Sequence, residues 1–323
     1  MKIYTENDAD PGILRDKSLV VMGYGNQGRS QALNLRDSGL EVTVAARQKR
    51  EGWQRALKDG FEPVVPEEGI RKADILLYLI PDEIQSEVFE DAIVGNLREG
   101  STICFAHGFA VAFGQIDTGS YEMILVAPKG QGGKVREAYL AGSGVPALVG
   151  WDSEKGKENA LAIAHALGSL RVGGFRTTFR EEAVSDLFGE QAVLCGGVTA
   201  LIKAAFNTLV EAGFRPEVAY FECMHELKII VDIFYARGMS GMREVISKTA
   251  AYGGLKYGED IIGEDAREKM EKLLDFIESG DFADDWMKAS RDGDSLEILM
   301  DREKSLLLEQ TGERLRKLFP ENY

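Results

Sequence analysis

The sequence predicts an α/β fold: an N-terminal Rossmann-like dinucleotide-binding domain followed by an all-α C-terminal domain. Three observations predict it. Short β-branched runs alternate with helical patterns through the first half of the chain. A glycine-rich sequence, Gly23-Tyr24-Gly25-Asn26-Gln27-Gly28, comes after the first long run. From about Glu181 the strand patterns stop and long helical patterns replace them. Strands alternating with helices imply a parallel sheet covered on both faces. The boundary is placed near residue 180, which gives domains 1–180 and 181–323.

SLVVMG (18–23) is a β-branched run ending in glycine, and a helical pattern covers Gly28 to Ser38. LEVTVAAR (40–47) is the second strand and ADILLYLIP (73–81) the third, stopped by Pro81. STICFAHG (101–108), EMILVAPKG (122–130) and VPALVGW (145–151) complete the strands, with helical stretches such as Trp53–Lys58 and Ile84–Leu97 between them. Helical patterns then cover 181–212, 216–237, 239–251 and 263–279. Pro216 suits a first helical turn. Gly213 and Gly238 sit where helices should end. The last segment, 301–319, reads as an amphipathic surface helix.

With 323 residues, 44% of them hydrophobic, the chain is long enough for two cores. A formal net charge of −15 argues against a phosphate-backbone partner, which needs clustered Lys and Arg. Cys104, Cys195 and Cys223 lie in apolar surroundings without metal spacing and read as buried free thiols of a reducing compartment. The N-terminus lacks an apolar signal core, and no run reads as the roughly 18 apolar residues of a membrane span. The expectation is a cytoplasmic protein with neither nucleic-acid nor membrane partners.

Gly23, Gly25 and Gly28 lie between a strand and a helix, in the arrangement that lets a backbone approach a pyrophosphate at a helix N-terminus. The end of the second strand carries Arg47-Gln48-Lys49-Arg50-Glu51-Gly52. Three cations suit the 2′-phosphate of NADP through charge-assisted hydrogen bonds. Glu51 could instead accept from a ribose diol, so NAD or dual use stays open.

Asp186 and Glu190 lie four residues apart in an apolar helical pattern, as do Glu222 and Glu226. On an α-helix each pair shares a face. Carboxylates grouped on a partly buried face are costly unless a cation joins them, and all-oxygen ligands favour Mg²⁺ or Mn²⁺. His107 and Lys129 end successive strands, where open parallel sheets place their ligands. His165 and His225 read as packing residues.

GYGNQGRSQALNLRDSG (23–39), LIPDEIQ (79–85), CFAHGF (104–109), APKG (127–130), GVPALV (144–149), DLFGEQAVLCGG (186–197), AYFECMHELKIIVD (219–232) and SKTAAYGG (247–254) resemble ketol-acid reductoisomerase in its short form. That resemblance implies a helical domain that interlocks as a dimer, with a dodecamer as the larger assembly. It implies Mg²⁺-dependent alkyl migration of 2-acetolactate or 2-aceto-2-hydroxybutyrate, then NAD(P)H reduction, in branched-chain amino-acid synthesis. Asp186, Glu190, Glu222 and Glu226 would hold two Mg²⁺, and Ser247 would contact substrate. His107 and Lys129 would serve catalysis, with Glu226 a candidate proton carrier. Tyr24, Gly25, Asn26, Gln27 and Asp82-Glu83-Ile84-Gln85 would contact the cofactor.

Three departures matter. Gly133, also expected near the cofactor, stands where the family has histidine. Ala251 stands where it has glutamate. Arg50 and Gly52 replace two phosphate-binding serines. The competing readings are a metal-independent β-hydroxyacid-type dehydrogenase and a non-catalytic NADP(H)-binding sensor.

Overall fold

The runs Leu19–Met22 (β2), Ile75–Tyr78 (β4) and Thr102–Phe105 (β5) are buried along their whole length, as strands covered on both faces must be. Their side chains alternate between two cores. Leu19 and Val21 join one cluster, whereas Val20 and Met22 join the other. The computed structural model describes residues 2–117, 119, 121–293 and 295–319. Two compact units emerge, Met1–Ser185 and Asp186–Tyr323, and the division falls within the helix Phe179–Gly189.

The first unit holds an eight-stranded sheet. Ile3–Tyr4 (β1), Val42–Ala45 (β3), Glu122–Pro128 (β6), Ala147–Trp151 (β7) and Gly174–Arg176 (β8) complete it, in the order β1-β8-β7-β6-β5-β4-β2-β3. β3, β2, β4, β5 and β6 run parallel, which confirms the dinucleotide-binding half of the expectation. The sheet is nevertheless mixed. β7 runs antiparallel to β6, and β1 runs antiparallel to β8. The reversal at β7 stems from where its connection returns. Lys129 N–H donates to Pro146 O at 2.8 Å, so the chain re-enters beside its own exit and must run back along β6.

The helices of this unit keep the predicted order with shifted ends. Asn26–Asp37 comes after β2, Glu51–Lys58 after β3, and Asp82–Val88 after β4 before continuing as a wide π-helical turn, Phe89–Ile93. Gly132–Leu140 links β6 to β7, and Glu154–Ala166 precedes β8.

The second unit is helical throughout its described residues. Gly197–Glu211, Pro216–Tyr220 and Leu307–Arg316 share a small core of Ile202, Phe206, Ala219, Tyr220, Leu308 and Leu315. Pro216 does open a helix, and Gly213 and Gly238 take positive φ where helical geometry breaks. Asp281–Asp292 and Ser295–Lys304 are helices beyond the predicted set. The final segment is a helix with one side in that core rather than a solvated surface element.

Two sequence expectations are corrected here. Cys195 is exposed and Cys223 only half-buried, leaving Cys104 as the buried thiol. Phe179–Glu211 is long and apolar enough to cross a membrane by length and composition alone. Glycines and alanines dilute that run, which hides its mean hydropathy from a count of large apolar residues.

Candidate active site

The glycine sequence builds a cradle at the carboxyl end of β2. Gly23 has φ +96°, and a Cβ there would lie 2.5 Å from Leu79 O. A Cβ on Gly28 would lie 2.0 Å from Gly23 O, so only glycine lets the helix start this close to the strand. The Gln27 side chain donates to Gly130 O at 2.9 Å, tying the cradle to the loop after β6. Tyr24 is buried, and its hydroxyl donates to Asp59 at 3.0 Å. Arg29 grips the same carboxylate with two bonds of 2.6 and 2.8 Å. That fork holds the Asp59 carboxyl below the usual carboxylate range, while burial raises the Tyr24 phenol.

The cradle borders a cleft of about 820 Å³. Tyr24, Gly25, Asn26 and Gln27 line one wall, Arg47, Arg50 and Gly52 another, and Ile84 a third. The Glu51 carboxylate, also on the lining, accepts from Arg55. Arg55 therefore joins Arg47 and Arg50 at the cleft, whereas Lys49 takes φ 62° and lies outside the lining. Asp82 and Gln85 are engaged internally. Gln85 Nε2 donates to Ile80 O and Asp82 Oδ1 at 3.0 and 3.1 Å. Glu83 and Gly133 lie outside the lining; Gly133 sits in the first turn of Gly132–Leu140.

His107 and Lys129 stand just past the carboxyl ends of β5 and β6. His107 Nδ1 is 3.0 Å from Asp82 Oδ2, and its ring stacks on Phe109. Lys129 Nζ donates to Glu182 Oε1 at 2.7 Å, and Gly108 N–H donates to Glu182 Oε2 at 2.7 Å. Glu182 is only 1% exposed. A buried carboxylate needs such charge-assisted partners.

The four carboxylates lie in the helical unit. Asp186 and Glu190 are half-buried, while Glu222 and Glu226 are exposed. Each pair meets a π-helical turn. Glu190 opens the turn Glu190–Leu194, and Glu222 lies within Phe221–His225, directly before Glu226. Four-residue spacing therefore does not guarantee a shared face at the second pair. No three of these four carboxylates bring oxygens within 4.8 Å of one another among the described residues. The expected burial of the second pair is also not met: Glu226–Val245 has no buried residue, although Leu227 packs against the core of its unit.

Two family models divide the chain between them. Residues 13–173 match the acetohydroxy acid isomeroreductase NADPH-binding domain, and residues 179–321 match the ketol-acid reductoisomerase C-terminal domain. The chain belongs to the ketol-acid reductoisomerase family. A ketol-acid reductoisomerase (NADP⁺) of Petrotoga mobilis is 46% identical over 99% of this chain and 98% of its own. One from Methanothermobacter thermautotrophicus is 48% identical over 98% of both chains. The solved structure of an NADH-preferring ketol-acid reductoisomerase from an uncultured archean matches with TM-score 0.96 and 41% identity, over 99% of this chain and all of that one.

Ser247 caps the helix Lys248–Ile261, its hydroxyl accepting from Ala250 N–H at 3.1 Å, and is exposed. Glu182, Asp59 and Arg55 are the residues that sequence reasoning missed. The first had a signal, since Glu182 precedes Asp186 by four residues on the same helix. Replacing Glu182 with Gln removes the carboxylate charge that accepts from the Lys129 ammonium. Turnover should fall about a hundredfold while the Kd for NADPH changes less than about twofold; steady-state kinetics and fluorescence titration check this.

Proposed function

We propose that this chain converts 2-acetolactate and 2-aceto-2-hydroxybutyrate into 2,3-dihydroxy-3-methyl acids, with Mg²⁺ on Asp186, Glu190, Glu222 and Glu226. The observation that carries the reading is the all-carboxylate donor set, recurring on two helical segments of a chain whose other unit bears a dinucleotide cleft. Four carboxylates with no thiolate or imidazole among them fit a hard divalent cation. When bound, Mg²⁺ supplies Lewis acidity toward the keto-hydroxy acid and the nicotinamide supplies the hydride.

The chain's own groups do the rest. With Asp82 ionised, His107 carries its proton on Nδ1, which makes Nε2 the acceptor of the ring. Glu182 holds the Lys129 ammonium at the strand end, where it can meet substrate oxygens. Ser247 offers a hydroxyl to substrate, and Glu226 is assigned the proton transfer. A metal-independent dehydrogenase or a non-catalytic sensor has no use for the carboxylates. NADPH consumption should therefore require both acetolactate and Mg²⁺, and Glu222→Gln should lower it at least a hundredfold. Turnover undiminished by EDTA, or by that substitution, would sink the assignment.

The cofactor is assigned as NADPH in preference to NADH. Arg47 and Arg50 line the cleft, and Arg55 neutralises Glu51, which leaves positive charge for a 2′-phosphate. Arg50→Ala should reduce kcat/KM for NADPH about tenfold and leave that for NADH nearly unchanged. A wild-type preference for NADH in the same assay would reverse the assignment.

The working unit is assigned as a homodimer built on the helical unit, with a dodecamer as the larger form. Tyr235 is 89% exposed and Met239 70% exposed on a helix without buried residues, and a monomer rarely leaves such a face uncovered. That no three of the four carboxylates bring oxygens within 4.8 Å of one another among the described residues of one chain supports a site completed by a second copy. Light scattering should give twice the chain mass or a multiple, and Tyr235→Glu should shift it toward monomer with loss of turnover.

A further inference from the structure

Both carboxylate pairs meet a π-helical turn, an element that holds well under 1% of residues in ordinary proteins. A turn closed by an i→i+5 bond contains one residue more than an α-turn. Since the α-helix advances about 100° per residue, one added residue rotates the helix before it by about that angle relative to the helix after it. On the far side of Glu190 lies the helix Gly197–Glu211, fixed to the core of its unit by Ile202 and Phe206. Ahead of Glu222 lies the helix Pro216–Tyr220, fixed to the same core by Ala219 and Tyr220. Each pair is thus offset by one residue from an anchor in a single shared core.

The first turn is anchored on the backbone of Glu190 itself. Its carbonyl accepts from Cys195 N–H at 2.7 Å and Gly196 N–H at 3.0 Å. Two glycines make this possible. A Cβ on Gly196 would lie 2.1 Å from Gln191 O, and one on Gly197 would lie 2.0 Å from Ala192 O. Thr199 clamps the exit, its hydroxyl donating to Cys195 O at 2.6 Å and to Gly196 O at 3.0 Å.

We propose that Gly196, Gly197 and Thr199 are positioning residues: they hold the wide turn that aims Asp186 and Glu190, and so set the affinity of the carboxylates for Mg²⁺. The proposal rests on the magnesium reading above. With a side chain at Gly196 the Gln191 carbonyl must move, the turn relaxes toward α-helical closure, and both carboxylates rotate away from their partner ligands. The Thr199 clamp acts more weakly, because the Gly196 carbonyl it meets also accepts from Ala200 N–H at 3.0 Å.

The test titrates Mg²⁺ alone into full-length protein by calorimetry, with NADPH titrated separately. Gly196→Ala and Gly197→Ala should each raise the Mg²⁺ Kd at least about tenfold and leave the NADPH Kd within about twofold. Thr199→Val should raise the Mg²⁺ Kd about threefold, and Thr199→Ser should restore it. Folded glycine variants that bind Mg²⁺ as wild type does would overturn the proposal. If the glycine variants do not fold, Thr199→Val decides, and a wild-type Mg²⁺ Kd there overturns it. Glu190→Gln separates the two layers. Unchanged Mg²⁺ binding in that variant removes the magnesium reading. Lost binding there, with unchanged binding in Gly196→Ala, removes only the positioning role.

Discussion

Glu182 carries its charge at 1% exposure, between the Lys129 ammonium and the Gly108 amide. A carboxylate at that depth is costly unless it is paired and hydrogen-bonded. Two short, charge-assisted bonds offset that cost, and in doing so they fix three segments at once. The ends of β5 and β6 are held at one spacing, and the first turns of Phe179–Gly189 are pinned against both. A Cβ at Gly108 would lie 2.4 Å from Phe179 O, so the approach is close on the backbone side as well. Loss of either bond leaves the buried carboxylate with one partner in place of two. The site's polar groups depend on this one carboxylate more than on any apolar contact.

The sequence made the cradle, the parallel strands and the carboxylate pairs legible because each is a local pattern. Gly23, Gly25 and Gly28 need only their neighbours to be interpreted, and runs such as LVVM are apolar on both faces wherever they lie. The reversal of β7 was not legible, since it depends on Lys129 meeting Pro146 across the linking helix. The strands β1 and β8, at one end of the sheet, are two and three residues long and carry too little pattern to register. Glu182 sits in FREEAV, which reads as a solvated first turn until Lys129, 53 positions earlier, is brought beside it. The π-helical turns were invisible for a related reason. A period of 3.6 assumes unbroken α-geometry, and the glycines that interrupt it in LCGG resemble an ordinary helix end.

Exposure in the helical unit carries a similar lesson. An apolar run such as LKIIVDIFY implies a covered helix, yet the helix Glu226–Val245 has no buried residue in the single chain. Sequence reports that a face is apolar without reporting which molecule covers it. The same ambiguity let Phe179–Glu211 pass a composition test for membrane spans while bearing carboxylates at Glu182, Asp186 and Glu190.

The cradle has a kinetic consequence. Its glycine turn is braced from one side by Tyr24 and Arg29 on Asp59, and from the other by Gln27 on Gly130. A Cβ on Gly132 would lie 2.2 Å from Asn26 O, so the helix after β6 also rests against it. These braces all come from within the chain, so the conformational entropy of the loop is lost at folding rather than at association. Dinucleotide capture then needs no loop closure. Its rate is set by diffusion and by the field of the arginines at the rim, and discrimination between nucleotides falls to how fast each one leaves.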